Sequence, residues 1–345
     1  MAHCKIIYPG LLGPDVPLEE LPRSEWPDTK QLPLLSLLFT RGKLHAQPKT
    51  SLEHQLLSNM GYVLPPLTEL PVAALRQQGG EENTTQLWCL DPVYVQIDRE
   101  IAYLAAADEL DLSEQEARQF IATINQHFAD ELHIRYHKPQ QWLLEKKLQL
   151  STYTPTEAML QDVNHMQPVG EDARSWSSLL NEIQMLLHAH PINAARMDNN
   201  QQPVNSLWLW GGGDIHATDP GIDMVYSNNT LAADAAVRNA IAHEPLPDSI
   251  DEAVLNNHNV LIVMTEQLLA IQQKDVYGWF EALKQLEQYV LTPLFAMLKK
   301  GTLQELILYS DHMSLAMSKR DLIKWWRGST SMDKTILQLR KTYAH

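Results

Sequence analysis

Short apolar runs alternate with amphipathic stretches in the second part of the chain. Each run has the length and the continuous apolar character of a strand that is buried on both faces, and each stretch has apolar residues at helical spacing. This alternation predicts an α/β fold with a mainly parallel, doubly wound sheet. The predicted strands are Leu207–Trp210, Met224–Tyr226, Val260–Met264 and Leu303–Tyr309, and the predicted helices are Leu231–His243, Val276–Leu298 and Asp321–Arg327.

The first part of the chain adds one strand and two helices to this pattern. Lys5–Tyr8 is predicted to be a strand, which Pro9-Gly10 ends. Leu34–Phe39 begins a short helix, and Ser51–Met60 is a second one with Ser51 as its N-cap. We expect the first strand to join the parallel sheet.

The middle of the chain has a different pattern, in which a hairpin lies between two amphipathic helices. Leu110–Leu132 is predicted to be a helix that begins with the capping box Ser113-x-x-Glu116. His133–Tyr136 and Trp142–Leu144 alternate like the strands of a hairpin, and Trp176–His188 has the apolar spacing of the second helix. These elements predict an α+β region.

The patterns together divide the chain into an alternating core and an insertion. Residues 1–83 and 201–345 are predicted to form the α/β core, and residues 84–200 an inserted α+β cap domain. A cleft between core and insertion is the expected position of a ligand site.

Charge and composition disfavour several classes of partner. Acidic residues outnumber basic ones by 42 to 27, for a net charge of −15, which argues against nucleic acid or an anionic membrane as a partner. No apolar stretch is long enough to span a bilayer, and the first residues lack the apolar core of a signal peptide. Cys4 and Cys89 are not in a CxxC motif, so we expect a reduced, cytoplasmic protein.

Three glycines follow the predicted strand Leu207–Trp210, at Gly211, Gly212 and Gly213. A backbone without Cβ atoms can approach a ligand or another strand closely, and ligands bind beyond the carboxyl ends of parallel strands. Two interpretations stay open, a ligand-binding loop and a turn after a core strand. Asn205 and Arg196 are assigned to the same predicted cleft, where Arg196 would hold a phosphate or carboxylate or form a structural ion pair.

Asp311 and His312 follow the predicted strand Leu303–Tyr309. A carboxylate and an imidazole at the carboxyl end of a strand suit a divalent metal with oxygen and nitrogen ligands. A helix cap or a hydrogen bond within the loop is the alternative. His190 follows a predicted helix, and we expect it to interact with the carboxyl end of that helix.

The order of these elements resembles the cofactor-independent phosphoglycerate mutases, especially the archaeal type, of the alkaline-phosphatase-like superfamily. Four segments carry the resemblance: Leu32–Gly42, Ser51–Tyr62, His190–Arg196 and the pair Asp311-His312. The resemblance implies an alkaline-phosphatase-like core with Asp311 and His312 as metal ligands. It also implies that Thr50 and Ser51 are the hydroxyls near the position of the phosphorylated serine.

The whole chain is also similar to the RpfE-type regulatory proteins. Leu87–Val93 and Asn181–His188 carry this similarity. It implies a regulatory role.

The chain departs from the metal enzymes of the superfamily at positions that hold metal. Those enzymes have an aspartate after the first strand, where this chain has Pro9-Gly10. They have Asp-x-x-x-His after the strand that resembles Val260–Met264, where this chain continues with Thr265–Leu269. A centre of two metals needs several such ligands at once, so the resemblance implies that the fold is kept and the metal site is lost.

We therefore expect a non-catalytic or degenerate mutase-like protein that needs no cofactor. Its expected partner is a small anionic ligand or a regulatory protein. One alternative is a phosphomutase or phosphohydrolase that uses Mn, Zn or Mg and recruits Asp15, Glu266 or Asp275 as replacement ligands. A second alternative is an interaction scaffold that acts through Trp325 and Trp326.

Overall fold

The computed structural model describes residues 2–17, 29–65, 68–77, 86–98, 101–105, 110–255, 258–324 and 332–343. Its strands are β1 Ala2–Ile7, β2 Lys43–Ala46, β3 Leu87–Val93, β4 Val95–Asp98, β5 Ile101–Leu104, β6 His133–Lys138, β7 Gln141–Glu145, β8 Leu150–Ser151, β9 Val169–Gly170, β10 Ser206–Trp210, β11 Met224–Ser227, β12 Ala242–Glu244, β13 Val260–Val263, β14 Leu303–Ser310 and β15 Met313–Ser318. Its α-helices are α1 Pro33–Arg41, α2 Leu52–Asn59, α3 Val72–Arg76, α4 Glu114–His127, α5 Pro155–Leu160, α6 Ala173–His188, α7 Pro191–Asp198, α8 Thr230–Arg238, α9 Glu252–Leu255, α10 Leu268–Gln272, α11 Val276–Gln285, α12 Thr292–Lys300, α13 Lys319–Leu322 and α14 Met332–Tyr343.

The chain forms two compact units. Unit 1 consists of Met1–Tyr62 and Thr218–His345, and unit 2 consists of Val63–Ala217. The sequence-based boundaries assigned residues 63–83 and 201–217 to the α/β core, whereas the structure places these residues in unit 2.

Unit 1 is built on a seven-stranded sheet with the order β12-β11-β13-β1-β14-β15-β2. The first five strands are parallel to one another, whereas β15 pairs antiparallel with both β14 and β2. This topology confirms a mixed α/β fold with a largely parallel central sheet. The predicted first strand does join the sheet, and it lies near the middle of it.

One buried apolar cluster of unit 1 covers one face of this sheet. Cys4 and Ile6 of β1 are fully buried there, among apolar side chains from α11, α12 and the turns between them. The predicted helix Val276–Leu298 is interrupted by a π-helical segment, Leu286–Leu291.

Glu287 in this π-helical segment replaces a missing helix cap. Its two carboxylate oxygens accept the N–H groups of Leu34 and Leu35 at 2.6 and 2.8 Å, at the beginning of α1, whose N-cap residue Leu32 makes no side-chain cap. Two backbone donors that a helix start leaves without partners are satisfied in this way. Burial raises the pKa of Glu287, and the two N–H groups oppose that effect.

Unit 2 contains a four-stranded antiparallel sheet with the order β10-β3-β7-β6. The predicted hairpin of β6 and β7 is confirmed, and so is the capping box of Ser113 and Glu116 at the start of α4. Residues from α4 and α6 form a buried cluster with Trp88 and Trp142 of the sheet. Two short ribbons, β4-β5 and β8-β9, complete the strand pairs of the described residues.

One predicted strand was assigned to the wrong sheet, and two predicted helices have different bounds in the structure. Leu207–Trp210 does not lie in the parallel sheet, because it pairs antiparallel with β3 in unit 2. The predicted helix Leu231–His243 ends at Arg238, since Ala240 takes a φ of +53° and the chain continues into β12. Within the predicted helix Asp321–Arg327, Asp321 and Leu322 belong to the short helix Lys319–Leu322, and residues 325–327 lie outside the described residues.

Trp325 and Trp326, on which the scaffold hypothesis depends, lie outside the described residues. In the described part of the chain, no helix has both the length and the apolar composition that a membrane crossing requires.

Candidate functional site

The carboxyl ends of the parallel strands in unit 1 form the candidate site. Ligands in open α/β sheets bind in the crevice beyond these ends. β1 continues into Pro9-Gly10, β13 into Thr265-Glu266, and β14 into Asp311-His312. The predicted position of the Asp-His pair after a strand end is thus confirmed, and the pair lies in the turn between β14 and β15.

The Asp311 carboxylate accepts a hydrogen bond from the backbone of the loop after β1. Gly10 donates its N–H to Asp311 Oδ2 at 2.7 Å, and the Ser310 hydroxyl donates to the same oxygen at 3.3 Å. The neighbouring N–H of Leu11 donates to Ser310 Oγ at 3.3 Å. The turn after β14 therefore holds the loop after β1 through a charged acceptor, which makes a stronger hydrogen bond than a neutral one.

Glutamine side chains connect the other strand ends of this edge. Gln267 Nε2 donates to the carbonyl oxygens of Pro9 at 2.7 Å and Met264 at 3.1 Å. Gln55 Nε2, from α2, donates to the Ser310 carbonyl at 2.7 Å. The loops after β1, β13 and β14 are therefore linked by side-chain hydrogen bonds, which hold the edge in one arrangement.

Two buried polar atoms near this edge have no hydrogen-bond partner among the described residues, Gln55 Oε1 and the hydroxyl of Tyr8. Burial, together with the Glu266 carboxylate, raises the pKa of the Tyr8 hydroxyl. Buried polar atoms are nearly always satisfied in native proteins, so these two atoms are exceptions within the described residues.

His312 is half-buried beside Asp311. Burial lowers the pKa of His312, the Asp311 carboxylate opposes this effect, and the Lys49 ammonium adds to it. The backbone carbonyl oxygen of His312 accepts a hydrogen bond from the Gln47 N–H at 2.8 Å. His312 and Lys49 are thus two nitrogen groups close enough to influence each other at the sheet edge.

Thr50 and Ser51, the candidate nucleophiles, lie at the beginning of α2. Ser51 Oγ accepts the N–H of His54 at 3.2 Å, as the predicted N-cap does. Thr50 Oγ1 donates to the Pro48 carbonyl at 2.7 Å, and the Thr50 N–H donates to the Asp311 carbonyl at 2.9 Å. Both hydroxyls are therefore near the Asp-His turn, and both have structural hydrogen bonds.

The proposed replacement ligands do not surround Asp311 and His312. Asp275 caps α11, since its Oδ1 accepts the N–H groups of Tyr277 and Gly278 at 3.0 Å each. Glu266 accepts the N–H of Thr265 at 3.0 Å, and Asp15 is exposed. Among the residues that the structure describes, no group of three or more His, Cys, Asp or Glu side chains is arranged to hold a metal ion.

The three predicted cleft glycines lie in unit 2 and make contacts within it. The Gly211 carbonyl accepts the N–H of Ala73 at 2.9 Å, and Gly213 donates to the Leu70 carbonyl at 3.0 Å. A Cβ on Gly212 would lie 2.4 Å from the Trp88 ring, and one on Gly213 would lie 1.9 Å from the Glu69 carbonyl oxygen. Of the two interpretations of this loop, these contacts favour the turn after a core strand, which packs closely against neighbouring segments of unit 2.

Arg196 and Asn205 also lie in unit 2, where neighbouring groups bind both side chains. The Arg196 side chain is 1 % exposed; it pairs with Glu116 at 2.8 Å and donates to the Gln202 carbonyl at 2.8 Å. It also donates to the carbonyl oxygens of Leu110 and Asp111. Asn205 bonds both backbone groups of Val95, at 2.7 and 2.9 Å. Of the two roles considered for Arg196, binding of an anionic ligand and a structural ion pair, the structure shows the ion pair, with Glu116.

Sequence reasoning assigned no chemistry to Asp91, which forms the densest buried polar cluster of unit 2. Its carboxylate accepts two hydrogen bonds from the Arg76 guanidinium, at 2.5 and 2.9 Å. It also accepts Trp210 Nε1 at 2.8 Å and the Trp142 N–H at 3.3 Å. The sequence did contain a signal for this cluster, because Asp91 lies inside the otherwise apolar strand Leu87–Val93. A buried charge of this kind needs partners.

The chain shows local sequence similarity to 2,3-bisphosphoglycerate-independent phosphoglycerate mutases. The enzyme of Methanosarcina barkeri is 28 % identical over 114 residues, which is 32 % of this chain and 29 % of that enzyme. The probable enzyme of Geobacter sulfurreducens is 33 % identical over 67 residues, which is 19 % of this chain and 17 % of that protein. The matched segments thus span less than a third of these relatives. No family model matches the chain.

Two solved structures are also similar to the chain, at lower identity. The cofactor-independent phosphoglycerate mutase from Thermoplasma acidophilum has a TM-score of 0.40 at 14 % identity, covering 92 % of this chain and 90 % of that one. A protein from Pyrococcus horikoshii has a TM-score of 0.49 at 13 % identity, covering 92 % and 87 %. The local sequence matches make the chain remotely similar to phosphoglycerate mutases of the cofactor-independent type, and its similarity to RpfE-type proteins stays a prediction.

Proposed function

We propose that this chain is a phosphoglycerate-mutase-like protein that binds a small phosphorylated anion and does not transfer its phosphoryl group. The proposed site is the carboxyl edge of the parallel sheet in unit 1. The observation that carries the proposal is the hydrogen bond from Gly10 to Asp311. Pro9 and Gly10, which follow β1, give this carboxylate a backbone N–H and no acidic side chain.

The groups near Asp311 suit an anion better than a metal centre. Lys49 and His312 supply nitrogen groups, and the segment before α2 contacts the same turn, since the Thr50 N–H donates to the Asp311 carbonyl oxygen. The carboxylates that a metal centre would need already make other hydrogen bonds. Asp275 caps α11, and Asp311 accepts the Gly10 N–H. The residues present do not fit a centre of two metals, and no reaction step through such a centre is derived.

The role that follows is sensing rather than turnover. The loops after β1, β13 and β14 are linked by Gln267, Asp311 and Gln55, so an anion bound beside Asp311 would act on all three loops. A regulatory protein in the cytoplasm that responds to a phosphorylated metabolite is the function that this arrangement supports.

The test compares binding with turnover in the full chain. We expect isothermal titration with 3-phosphoglycerate to give a saturable signal, and we expect no mutase activity and no hydrolysis of p-nitrophenyl phosphate with Mn²⁺, Zn²⁺ or Mg²⁺ added. Lys49→Ala and His312→Ala should each weaken binding about tenfold. Lys43→Ala is the matched control, because Lys43 is an exposed lysine on the edge strand β2.

Two results would overturn the proposal. Metal-dependent turnover that disappears in Asp311→Asn would show that the chain is a phosphomutase or phosphohydrolase with an unusual ligand set. Binding that is equally strong in Lys49→Ala, His312→Ala and Lys43→Ala would place the anion elsewhere.

A further inference from the structure

Unit 2 contains a cavity of about 180 Å³ beside helix α6 and strand β10. Residues of the β4-β5 ribbon and of the segment 153–168 complete its wall. All of these lining residues belong to unit 2, whereas the anion site proposed above belongs to unit 1. The chemistry of the cavity wall therefore has to be considered by itself.

The inner part of this wall is apolar and aromatic. Trp176 of α6 lies there with Leu207 and Leu209 of β10, and all three side chains are buried. Trp208 and Tyr153 add two further aromatic side chains, which are partly buried. Aromatic rings attract one another in edge-to-face and offset arrangements beyond the effect of buried area. A wall with three aromatic side chains therefore favours an aromatic occupant over an aliphatic one of the same size.

The wall carries no charge among the described residues, since none of those that line the cavity is Asp, Glu, Lys, Arg or His. A charged group that leaves water for such surroundings loses its hydration and gains no counter-charge. The occupant that fits is therefore neutral.

One pair of polar side chains in the wall has unused hydrogen-bonding capacity. Gln184 Nε2 donates to Ser206 Oγ at 2.8 Å, and Ser206 is 5 % exposed. A hydroxyl group has one donor proton as well as its acceptor lone pairs. The Ser206 proton and the Gln184 Oε1 atom make no hydrogen bond within the described residues. The pair can therefore offer one donor and one acceptor to an occupant.

One side of the cavity is open to solvent. Ile97 is 73 % exposed and lines the cavity, and the lining residues Asn164 and Gln167 are also exposed. A small molecule can therefore enter from this side while the buried part of the wall stays intact.

The volume limits the size of the occupant. An apolar protein cavity of about 150 Å³ holds one benzene molecule. A cavity of about 180 Å³ thus has room for one six-membered ring and a short substituent.

We propose that this cavity binds a small neutral aromatic molecule, whose single ring lies against Trp176 and Trp208 and whose hydroxyl-type substituent bonds to the Gln184–Ser206 pair. The ring buries apolar surface against the inner wall. The substituent accepts the Ser206 proton and donates to Gln184 Oε1. This site does not depend on the anion site of unit 1.

The test uses the full chain with ¹⁵N-labelled tryptophan and the probe benzyl alcohol. Trp208 is the reporter, because it lines the cavity and its Nε1–H donates to the Tyr153 carbonyl at 2.9 Å. We expect a saturable shift of the Trp208 indole resonance, which Trp208→Phe assigns. Benzoate and benzylammonium should give no shift, because they are charged, and cyclohexylmethanol should bind several-fold more weakly, because it lacks the aromatic ring.

Ser206→Ala tests the hydrogen bond to the substituent. We expect this variant to weaken the binding of benzyl alcohol about fivefold, as the loss of one hydrogen bond does. The binding of toluene, which has no hydroxyl group, should stay the same. A variant that only distorted the cavity would affect both probes.

A matched pair of variants tests the position of the ring. Leu180→Trp places a larger side chain in the cavity wall, and we expect it to abolish binding of benzyl alcohol and toluene. Leu186→Trp is the control, because Leu186 lies on the same helix and is also partly buried, but does not line the cavity.

Four results would overturn the proposal. One is the absence of a Trp208 shift up to the solubility limit of benzyl alcohol, and another is binding of benzoate or cyclohexylmethanol that is as tight as that of benzyl alcohol. The third is an equal effect of Ser206→Ala on benzyl alcohol and toluene, and the fourth is unchanged binding by Leu180→Trp. The comparisons among probes use the unaltered protein, so they decide the question even if a variant does not fold.

Discussion

Gly10 donates its N–H to the Asp311 carboxylate over 2.7 Å, although the two residues are 301 positions apart in the chain. The bond joins loops that follow two adjacent strands, β1 and β14. Gly10 has a φ of +73°, and a Cβ at this position would lie 2.8 Å from Ile271. Both the conformation and the space therefore favour glycine here.

Asp311→Ala should lower the free energy of unfolding by about 1–3 kcal/mol, because it leaves the Gly10 N–H without its acceptor. Asp311→Asn keeps an oxygen in the same place and should cost clearly less. Urea unfolding measures both. An equal loss in the two variants would show that charge, and not the hydrogen bond to Gly10, is what matters.

Asp91→Asn should destabilise unit 2 by about 3–5 kcal/mol, because it leaves the buried Arg76 guanidinium without its counter-charge. The double variant Arg76→Met with Asp91→Asn removes both charges and should recover part of this loss. Thermal unfolding of the three proteins tests the expectation. A double variant that is less stable than Asp91→Asn alone would contradict it.

His190 should make stability fall below neutral pH. Its Nδ1 accepts the Ile192 N–H at 3.3 Å, which caps α7, and its Nε2 lies 3.0 Å from the Thr123 hydroxyl. Burial lowers the pKa of His190 below its usual value of 6.5. The folded state thus favours neutral His190. The stabilisation that His190 contributes is present above pH 6.5 and is lost as the pH falls through the pKa of His190 in the folded protein.

The control for this pH dependence is His190→Asn, which retains a capping oxygen but does not titrate. The unfolding free energy of the unaltered protein should decrease more steeply between about pH 7 and pH 5 than that of the variant. Parallel curves would mean that another group is responsible.

Gly212→Ala should lower stability by about 2–3 kcal/mol, because its Cβ would lie 2.4 Å from the fully buried Trp88 ring. Gly221→Ala is the control, since Gly221 has a φ of +61° but no atom within 4 Å of an added Cβ. The near-ultraviolet circular dichroism should change in Gly212→Ala and stay constant in Gly221→Ala. Identical spectra for both variants would contradict the contact with Trp88.

Local signals in the sequence predicted several elements and their ends. Ser113 and Glu116 form the predicted capping box, and Ser51 caps α2. The hairpin of β6 and β7 was also predicted. Each of these features depends on residues that are close together in the chain, so the pattern of a short segment contains the information.

The sheet to which an apolar strand belongs was not predictable in the same way. Leu207–Trp210 has the continuous apolar character of a central parallel strand, but it is an edge strand that pairs antiparallel with β3. Apolar side chains on both faces indicate burial without indicating the partner strand. The role of the following glycines changed with this assignment, because they contact Trp88 and Glu69 in unit 2.

The sequence by itself determined the α/β class of the central sheet, the capped helices and the position of Asp311 and His312 after a strand. Only the tertiary structure decided that Asp311 is bound by Gly10, that Asp91 is bound by Arg76, and that β10 pairs antiparallel with β3. The physical reason is that helix caps and strand periodicity arise from neighbours in the chain, whereas these contacts depend on which distant segments the folded sheets bring together.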